Sequence, residues 1–388
     1  MEKKFKIVQM LPALGFGGAQ VFCIQLCNEL ARYPNYEVTL LSMYHHNEQN
    51  HLPLTMLDKN VKFVSLGKRG GLDPKMFIRV YKLFKKIRPD VVHTHLHSGY
   101  YCFLAYRLIN HTFRKVHTFH NLAKKDAPIH GRKGYYYFFK KGVIQPVSIS
   151  DEVHKSALEE YRHCGIVQIN NGSAPVTPTP SFEKTRDYIN SLKKDPNTKV
   201  LINVARISKQ KNQQLLLEAM ARLEKEGANV CAIVVGDYVP DDKKIYEDLM
   251  AKKPGNVHFV GKVTNVSDYL LNADAFVLSS AFEGLPISLL EAMAGGIVPV
   301  CTPVGGMIDI VKPGIGFLSN DLSTESYLTA IKNFLHTGET GIQKLKHNLK
   351  ALFHKEFSME NCAQKYNILY RTLSVCGLYF CTGQLDCF

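Results

Sequence analysis

The sequence predicts an α/β protein of two doubly wound domains, each a parallel β-sheet with helices on both faces. Three observations support this fold class. The chain has 388 residues, more than one hydrophobic core organises comfortably, which corresponds to about two domains. Apolar runs rich in β-branched residues alternate with helical stretches. A proline-rich segment, 172–181, interrupts this alternation near the middle, as a linker would.

The predicted strands of the first domain are short apolar runs, each followed by a helix-like stretch. They comprise 5–10, 37–43, 61–66, 90–95, 115–120 and 145–149. Continuous apolar runs of this kind are typical of parallel strands that are buried on both faces. The run 5–16 also resembles a signal peptide, but Gln9, Pro12 and the glycine-rich turn that follows favour a strand and a turn. The first domain is predicted to span 1–172.

The second domain is predicted to span 173–373 and repeats the alternation of strands and helices. Its predicted strands are 199–204, 229–235, 256–260, 274–278 and 297–301. The last amphipathic stretch, 360–373, has the pattern of a helix that packs back on the first domain, although the sequence alone leaves its direction open. No role is assigned to the tail 374–388.

Composition excludes several classes of protein. With 45% hydrophobic and 21% charged residues, the chain is neither disordered, collagenous nor a coiled coil. No apolar run reaches the ~20 residues that a membrane-spanning helix needs, so an integral membrane protein is not expected. The ten cysteines are scattered through predicted strands and helices, which favours buried thiols and a cytoplasmic location. Four of them lie late in the chain, too widely spaced for a zinc site: Cys362, Cys376, Cys381 and Cys387.

The positive charge lies almost entirely in the first domain. Of the formal charge of +14, residues 1–172 carry +13. Basic residues crowd the predicted helix near 82–88 and bracket the aromatic run 135–139. This pattern predicts peripheral contact with an anionic membrane surface, at the inner face of the cell membrane. A solvated basic face over a buried aromatic helix is an equal alternative, whereas nucleic acid is disfavoured because no nucleic-acid-binding motif accompanies the charge.

A glycine-rich turn follows the first predicted strand. Gly17 and Gly18 open a helix there, where backbone N–H groups are suited to hold an anion. The turn departs from the dinucleotide fingerprint, because Gln20 replaces the third glycine and the second strand lacks the acid that binds a ribose. A purely structural tight turn is the alternative interpretation.

The segment 280–296 carries the stronger signal. Pro286 is suited to the first turn of a helix, which places Glu283 in the preceding loop and leaves the amides of Gly284 and Leu285 available to an anion. Glu291 follows about 7 Å along the helix axis. One acid is thereby placed to bind a sugar and the other a ribose, with a diphosphate between them.

Two cations follow the first strand of the second domain. Arg206 and Lys211 lie five residues apart at the carboxyl end of that strand, where doubly wound sheets bind their ligands. Such residues are ordinarily interpreted as surface charges without a binding role. Their position opposite the segment that carries Glu283 and Glu291 favours neutralisation of a departing diphosphate.

These marks together resemble the retaining, family-four glycosyltransferases of the GT-B architecture, in which two Rossmann-like domains face each other across a cleft. The resemblance covers roughly 5–373 and rests on 17–19 after the first strand, 117–120, the Arg206 and Lys211 pair, and Glu283 seven residues before Glu291. It implies an acceptor-binding first domain and a nucleotide-sugar-binding second domain. The expected enzyme transfers sugar from a nucleoside-diphosphate sugar to a saccharide or polyprenyl-linked acceptor, in surface polysaccharide or glycolipid biosynthesis.

The resemblance also implies a role for each candidate residue. Arg206 and Lys211 hold the diphosphate, Glu283 with the Gly284 and Leu285 amides orients the donor sugar, and Glu291 binds the ribose. Gly17 and Gly18 approach the phosphate, and His120 lies beside the reacting sugar. Three further histidines are expected to line the acceptor cleft: His93, His95 and His97.

The expected transfer needs neither a metal nor another cofactor, because the chain has no Asp-x-Asp pair and Arg206 and Lys211 supply positive charge. Retention of the anomeric configuration is implied by the family. Two alternatives keep the same fold: a non-catalytic module that binds nucleotide sugars or membranes, and a GT-B nucleotide-sugar epimerase.

Overall fold

The structure, a computed structural model, describes residues 3–15, 17–45, 52–110, 112–126, 129–162 and 165–373. The chain divides into two compact units. Unit 1 comprises the described residues up to Gly172 together with those from Met359 onward, and unit 2 is Ser173–Ser358. Each unit contains one parallel sheet, so the predicted doubly wound α/β fold class is confirmed. The tail 374–388, which contains three of the cysteines predicted to be thiols, lies outside the described residues.

Unit 1 has a seven-stranded parallel sheet. Its strands are β1 (Phe5–Leu11), β2 (Tyr36–Tyr44), β3 (Lys62–Lys68), β4 (Val91–His95), β5 (Arg114–Phe119), β6 (Gln145–Ser148) and β7 (Val167–Gln168). Its helices up to the linker are α1 (Gly18–Leu30), α2 (Leu52–Thr55), α3 (Pro74–Ile87), α4 (Phe103–Leu108), α5 (Ala123–Asp126), α6 (Ile129–Lys140) and α7 (Asp151–Tyr161). A 3₁₀ turn, Leu96–Cys102, follows β4.

Unit 2 has a six-stranded parallel sheet. Its strands are β8 (Lys199–Val204), β9 (Val230–Val235), β10 (Val257–Gly261), β11 (Ala275–Leu278), β12 (Val298–Cys301) and β13 (Phe317–Leu318). Its helices are α8 (Phe182–Ser191), α9 (Gln213–Lys225), α10 (Lys243–Lys252), α11 (Val266–Leu271), α12 (Ile287–Gly295), α13 (Gly306–Ile310), α14 (Thr324–Leu335) and α15 (Glu339–Leu352). A 3₁₀ turn, Pro240–Asp242, precedes α10, and a π-helical turn, Phe353–Phe357, follows α15.

The local sequence explains where these elements begin and end. In α3, Pro74 occupies the first turn and the Asp73 carboxylate accepts the Lys75 amide at 3.1 Å, which caps the helix. The helix ends at Arg88, which adopts a left-handed conformation. Strand β9 is buried along its whole length, as expected for a parallel strand between two layers of helices.

The last helix, α16 (Met359–Thr372), belongs to unit 1. Its inward face carries Tyr366 and Tyr370, both fully buried. Tyr370 Oη accepts a hydrogen bond from Gln9 of β1 at 2.9 Å, and the Leu373 carbonyl accepts one from Arg114 of β5 at 2.8 Å. The last described residues are therefore hydrogen-bonded to the sheet of unit 1, which also contains the first strand.

Strand order places one reversal in each sheet. The orders are β3-β2-β1-β4-β5-β6-β7 and β10-β9-β8-β11-β12-β13. Successive strands are added outward from β1 to β3, or from β8 to β10, and the chain then crosses back to β4 or β11 and adds the remaining strands in the other direction. Doubly wound sheets bind their ligands at the carboxyl ends of the strands beside such a reversal. The loops after β1, β4, β8 and β11 are therefore the places to look for a site.

Candidate functional site

In unit 2, the loops after β8 and β11 are hydrogen-bonded to each other. The Ala281 amide donates to the Gln210 carbonyl at 2.8 Å, and the Gln210 side-chain amide donates to the Phe282 carbonyl at 3.1 Å. The Ser279 hydroxyl donates to the Asn212 carbonyl at 3.0 Å. Because β8 and β11 are adjacent strands, these bonds hold the two loops that carry the predicted charged residues as one body.

Lys211 and Glu283 form an ion pair between these loops. The Lys211 Nζ to Glu283 Oε1 distance is 2.5 Å. The same Oε1 accepts the Ser280 hydroxyl at 2.6 Å, and Oε2 accepts Gln210 Nε2 at 3.4 Å. Glu283 is only 5% exposed. Its carboxylate is therefore fixed by three donors, while Lys211 retains enough exposure to meet a further anion.

A pair of glycines after β12 supports the Glu283 loop. The Gly306 amide donates to the Gly284 carbonyl at 2.6 Å. Gly305 adopts φ +58° and ψ −152°, and a Cβ there would collide with the Glu283 carbonyl oxygen. Sequence reasoning missed this contact. The signal that would have indicated it is the Gly-Gly pair four residues after the end of a buried strand.

Helix α12 follows the Glu283 loop and carries Glu291. Pro286 is its N-cap residue, in an extended conformation, rather than a residue of the first helical turn. Gly284 and Leu285 are buried immediately before it. Glu291 is half-buried, and desolvation raises the pKa of its carboxyl to about 7. Among the described residues no basic side chain forms an ion pair with Glu291.

Arg206 lies directly after β8 and is exposed. Its carbonyl accepts Gln213 Nε2 at 3.1 Å, which fixes the backbone beside the start of α9. Within the described ranges its guanidinium forms no ion pair. The structure thus brings Lys211 and Glu283 into contact and leaves Arg206 on the same loop with a solvated cationic head.

In unit 1, Gly17 and Gly18 begin helix α1. Gly17 is the N-cap residue, and its carbonyl accepts the Gln20 and Val21 amides at 3.0 Å each. No side chain caps this helix, and both glycines are exposed. The turn therefore presents exposed backbone at the carboxyl end of β1, beside the reversal in strand order, with the Gln20 side chain lying against Gly17.

His120 lies one residue beyond β5 and is half-buried. Its Nε2 is 2.8 Å from His95 Nδ1, its backbone amide donates to Asp126 Oδ1 at 3.1 Å, and the Phe22 ring packs edge-on against it. Desolvation lowers the pKa of His120 to about 4, although the nearby Asp126 carboxylate opposes this shift. His120 is therefore a neutral imidazole at physiological pH.

The other three predicted histidines occupy two different environments. His97 is exposed on the 3₁₀ turn after β4, as expected of a residue lining a surface. His93 and His95 are fully buried within the sheet layer. Both rings are covered by the layers packed on the sheet, so neither reaches the surface of unit 1, and their role in acceptor binding stays a prediction.

A second buried polar pair, unforeseen from the sequence, lies beside them. His117 Nε2 is 3.1 Å from Asp126 Oδ2, and both side chains are fully buried. The other ring nitrogen of His117 is 2.9 Å from the Thr94 hydroxyl. Asp126 comes from the short helix α5, nine residues along the chain, and nothing in the local pattern marked it as the partner.

The aromatic run of α6 divides between the core and the surface. Tyr135 and Phe139 are fully buried, whereas Tyr136 and Tyr137 are 40% and 51% exposed. Lys140 Nζ lies over the Tyr136 ring at 5.7 Å. Within the described ranges, no helix combines the length and apolar character needed to cross a membrane. The six described cysteines are buried free thiols.

Comparison with known proteins agrees with this geometry. The family model for glycosyltransferase family 4 matches 16–172, and the model for glycosyl transferases group 1 matches 184–351. An uncharacterized glycosyltransferase of Methanocaldococcus jannaschii is 26% identical over 59% of this chain and 60% of its own length. A UDP-Gal:alpha-D-GlcNAc-diphosphoundecaprenol alpha-1,3-galactosyltransferase of Escherichia coli is 28% identical over 67% of this chain and 70% of its own length.

Solved structures show the same fold. The structure of HepE from Anabaena, in complex with UDP and glucose, has a TM-score of 0.78 at 17% identity and covers 95% of this chain and all of that one. The matched segments span only 33–60% of the length of three of the curated relatives. The two family models nevertheless account for most of the chain between them. The chain belongs to the family-four glycosyltransferases and has the GT-B fold.

Proposed function

We propose that this protein is a retaining glycosyltransferase that moves a sugar from a nucleoside-diphosphate sugar to a saccharide or lipid-linked acceptor. The observation that carries the proposal is the Lys211 and Glu283 ion pair at the carboxyl ends of β8 and β11. It combines a fixed carboxylate, which accepts hydrogen bonds from a sugar, with a cation suited to a phosphate. Both groups lie beside the strand-order reversal of unit 2.

The other predicted site residues are proposed to bind the rest of such a donor. Arg206 supplies a second cation with no competing partner among the described residues, and its planar guanidinium is suited to phosphate oxygens. Glu291 is proposed to accept hydrogen bonds from the ribose hydroxyls. Gly17 and Gly18 are proposed to contribute backbone amides in unit 1, and His120 a neutral imidazole.

The proposed chemistry is transfer with retention. The bond between the anomeric carbon and the diphosphate oxygen breaks, a bond from the acceptor oxygen to that carbon forms on the same face, and the acceptor proton passes to the departing phosphate. Negative charge therefore grows on the diphosphate. Arg206 and Lys211 stabilise it from fixed positions, so we propose that transfer needs neither a divalent metal nor another cofactor.

The acceptor is proposed to be saccharide or polyprenyl-linked, as in the synthesis of surface polysaccharides or glycolipids. The name of the Escherichia coli relative specifies a diphosphoundecaprenol-linked substrate. Exposed lysines on α3 and α6, together with Tyr136 and Tyr137, present cations and amphipathic rings on unit 1. Such a surface suits the headgroup region of an anionic membrane, and we propose that the protein is cytoplasmic and binds peripherally to the inner membrane face.

The direct test measures donor binding and turnover. Nucleoside-diphosphate sugars, beginning with UDP-glucose and UDP-galactose, are screened for thermal stabilisation, since a ligand at ~100 times its dissociation constant adds about 2.7 kcal/mol to folded-state stability. With the donor found, Arg206→Ala is expected to lower turnover by ~10² or more. Unchanged turnover in that variant, or loss of wild-type transfer in EDTA, would contradict the proposed site.

The same assay separates the alternatives, and the product identifies the stereochemistry. A binding module would be stabilised by donor without releasing nucleotide, and an epimerase would convert donor when no acceptor is present. Proton NMR of the product gives the anomeric configuration, and inversion would refute retention. Sedimentation with anionic vesicles should be strong at low salt and lost at high salt. Equal sedimentation with neutral vesicles would contradict the electrostatic surface.

A further inference from the structure

A chain of buried hydrogen bonds connects His120 to helix α16. His120 Nε2 lies 2.8 Å from His95 Nδ1, and His95 Nε2 lies 2.8 Å from Gln9 Oε1. Gln9 Nε2 donates to Tyr370 Oη at 2.9 Å, and Tyr370 Oη is 2.6 Å from His93 Nδ1. The chain continues from His93 to the Thr118 hydroxyl at 2.7 Å and on to Tyr366 at 2.9 Å.

Gln9 sets the direction of the hydrogen bonds in this chain, because one end of its side-chain amide is an acceptor and the other is a donor. Its amide oxygen only accepts and its amide nitrogen only donates, whereas each hydroxyl or neutral imidazole does either. The oxygen faces His95, so His95 carries its proton on Nε2. A neutral His95 then has a lone pair on Nδ1, and His120 must donate to it from Nε2.

The donors and acceptors in the other half of this series of hydrogen bonds are assigned in the same way. The Tyr370 hydroxyl accepts a hydrogen bond from Gln9 and donates one to His93 Nδ1, and His93 Nε2 donates to Thr118. This requires neutral rings. Burial lowers the pKa of both His93 and His95 well below its ordinary value, and the nearby His117 and His120 rings lower it further for both. All donors in the chain point away from His120.

We infer that Gln9 is a positioning residue that fixes His120 as its Nε2–H tautomer, leaving the Nδ1 lone pair as an acceptor for a hydroxyl group. Among the residues that the structure describes, no group forms a hydrogen bond with His120 Nδ1. The use of this acceptor for a sugar hydroxyl rests on the proposed function. The tautomer itself does not, because it follows from the hydrogen-bonded chain alone.

The experiment is long-range ¹H–¹⁵N NMR of the full-length protein labelled with ¹⁵N-histidine, without any ligand. The His120 signals are identified by their loss in His120→Gln. The wild type should show a protonated Nε2 and an unprotonated Nδ1 at neutral pH. The opposite tautomer would overturn the inference, because a reversed Gln9 amide reverses every bond in the chain.

Two variants test whether Gln9 is responsible. Gln9→Met keeps the length of the side chain and removes both polar ends, so the two ring nitrogens of His120 should move toward a common mean shift. Tyr370→Phe, which removes the partner that anchors the Gln9 nitrogen, should move them the same way and serves where Gln9→Met does not fold. Tyr366→Phe is the matched control, since it removes an equally buried hydroxyl from the same helix at the far end of the chain.

The outcomes separate this inference from the proposed function. An unchanged His120 tautomer in folded Gln9→Met or Tyr370→Phe, or an equal change in Tyr366→Phe, would refute the role of Gln9. Failure to find a sugar donor would leave the NMR result intact. With a donor in hand, Gln9→Met should lower kcat several-fold, and the Tyr366→Phe rate should match wild type.

Discussion

The raised pKa of Glu291 predicts that unit 2 loses stability as pH rises, and that Glu291→Gln abolishes this loss. The carboxyl titrates near 4.5 when unfolded and near 7 when folded, so the folded state binds the proton more tightly. The stabilising proton is fully bound below pH 4.5 and is lost as pH rises through 7. Between pH 5 and pH 8 this linkage corresponds to about 2.5 kcal/mol of unfolding free energy.

The buried histidines of unit 1 have the opposite linkage. Folded-state pKa values below the ordinary value make His93, His95 and His120 destabilise the fold as pH falls below about 6.5. The assay must therefore resolve the two units. Urea unfolding followed by pulsed hydrogen exchange and mass spectrometry reports on peptides from β8 and β9 separately from those of unit 1.

The expected result is a difference between two proteins. Relative to Glu291→Gln, the wild type should lose about 2.5 kcal/mol in unit 2 between pH 5 and pH 8, with most of the loss between pH 5 and pH 7. The glutamine variant retains the shape of the side chain but has no proton to lose. Parallel pH profiles for the two proteins would refute the assignment of a raised pKa to this half-buried carboxyl.

Two further predictions concern the loops of unit 2. Lys211→Met leaves the Glu283 carboxylate without its cation and should lower transfer by ~10², measured as initial rate with saturating donor, whereas Lys209→Met, an exposed cation on the same loop, should match wild type. Gly305→Ala should destabilise unit 2 by about 3 kcal/mol because its Cβ meets the Glu283 carbonyl, whereas Gly314→Ala, also at positive φ but with only an ordinary van der Waals contact to Asn348, should cost about 1 kcal/mol in the same exchange assay. Equal effects within either pair would contradict the corresponding contact.

Most strands could be predicted from the sequence because parallel strands buried on both faces are continuous apolar runs. Strand β9, predicted as 229–235, is observed as Val230–Val235. The two-residue strands β7 and β13 were missed, since a pairing that short has no periodicity to detect. The pairing of Lys211 with Glu283 could also be predicted, because the two residues follow strands whose carboxyl ends meet at one edge of the sheet.

The buried network of unit 1 could not be predicted, for a physical reason. Gln9 is a single polar residue in an apolar strand, and its partners His95 and Tyr370 lie 86 and 361 residues away. A local pattern carries no information about such distant hydrogen bonds. The burial of His93 could not be predicted for the same reason, since the sequence does not show that α16 contacts it.

The charged side chains of the two units suit different ligands, an anionic membrane surface in unit 1 and a diphosphate in unit 2. At the strand-order reversal of unit 1, the histidines are neutral at physiological pH because burial lowers their pKa. The +13 formal charge of residues 1–172 counts histidine as neutral and comes from lysine and arginine side chains, many of them on the exposed faces of α3 and α6. The fixed cations suited to a diphosphate, Arg206 and Lys211, belong to unit 2. If this division holds, removing the α6 lysines should weaken vesicle binding without weakening donor binding, and a parallel loss of both would contradict it.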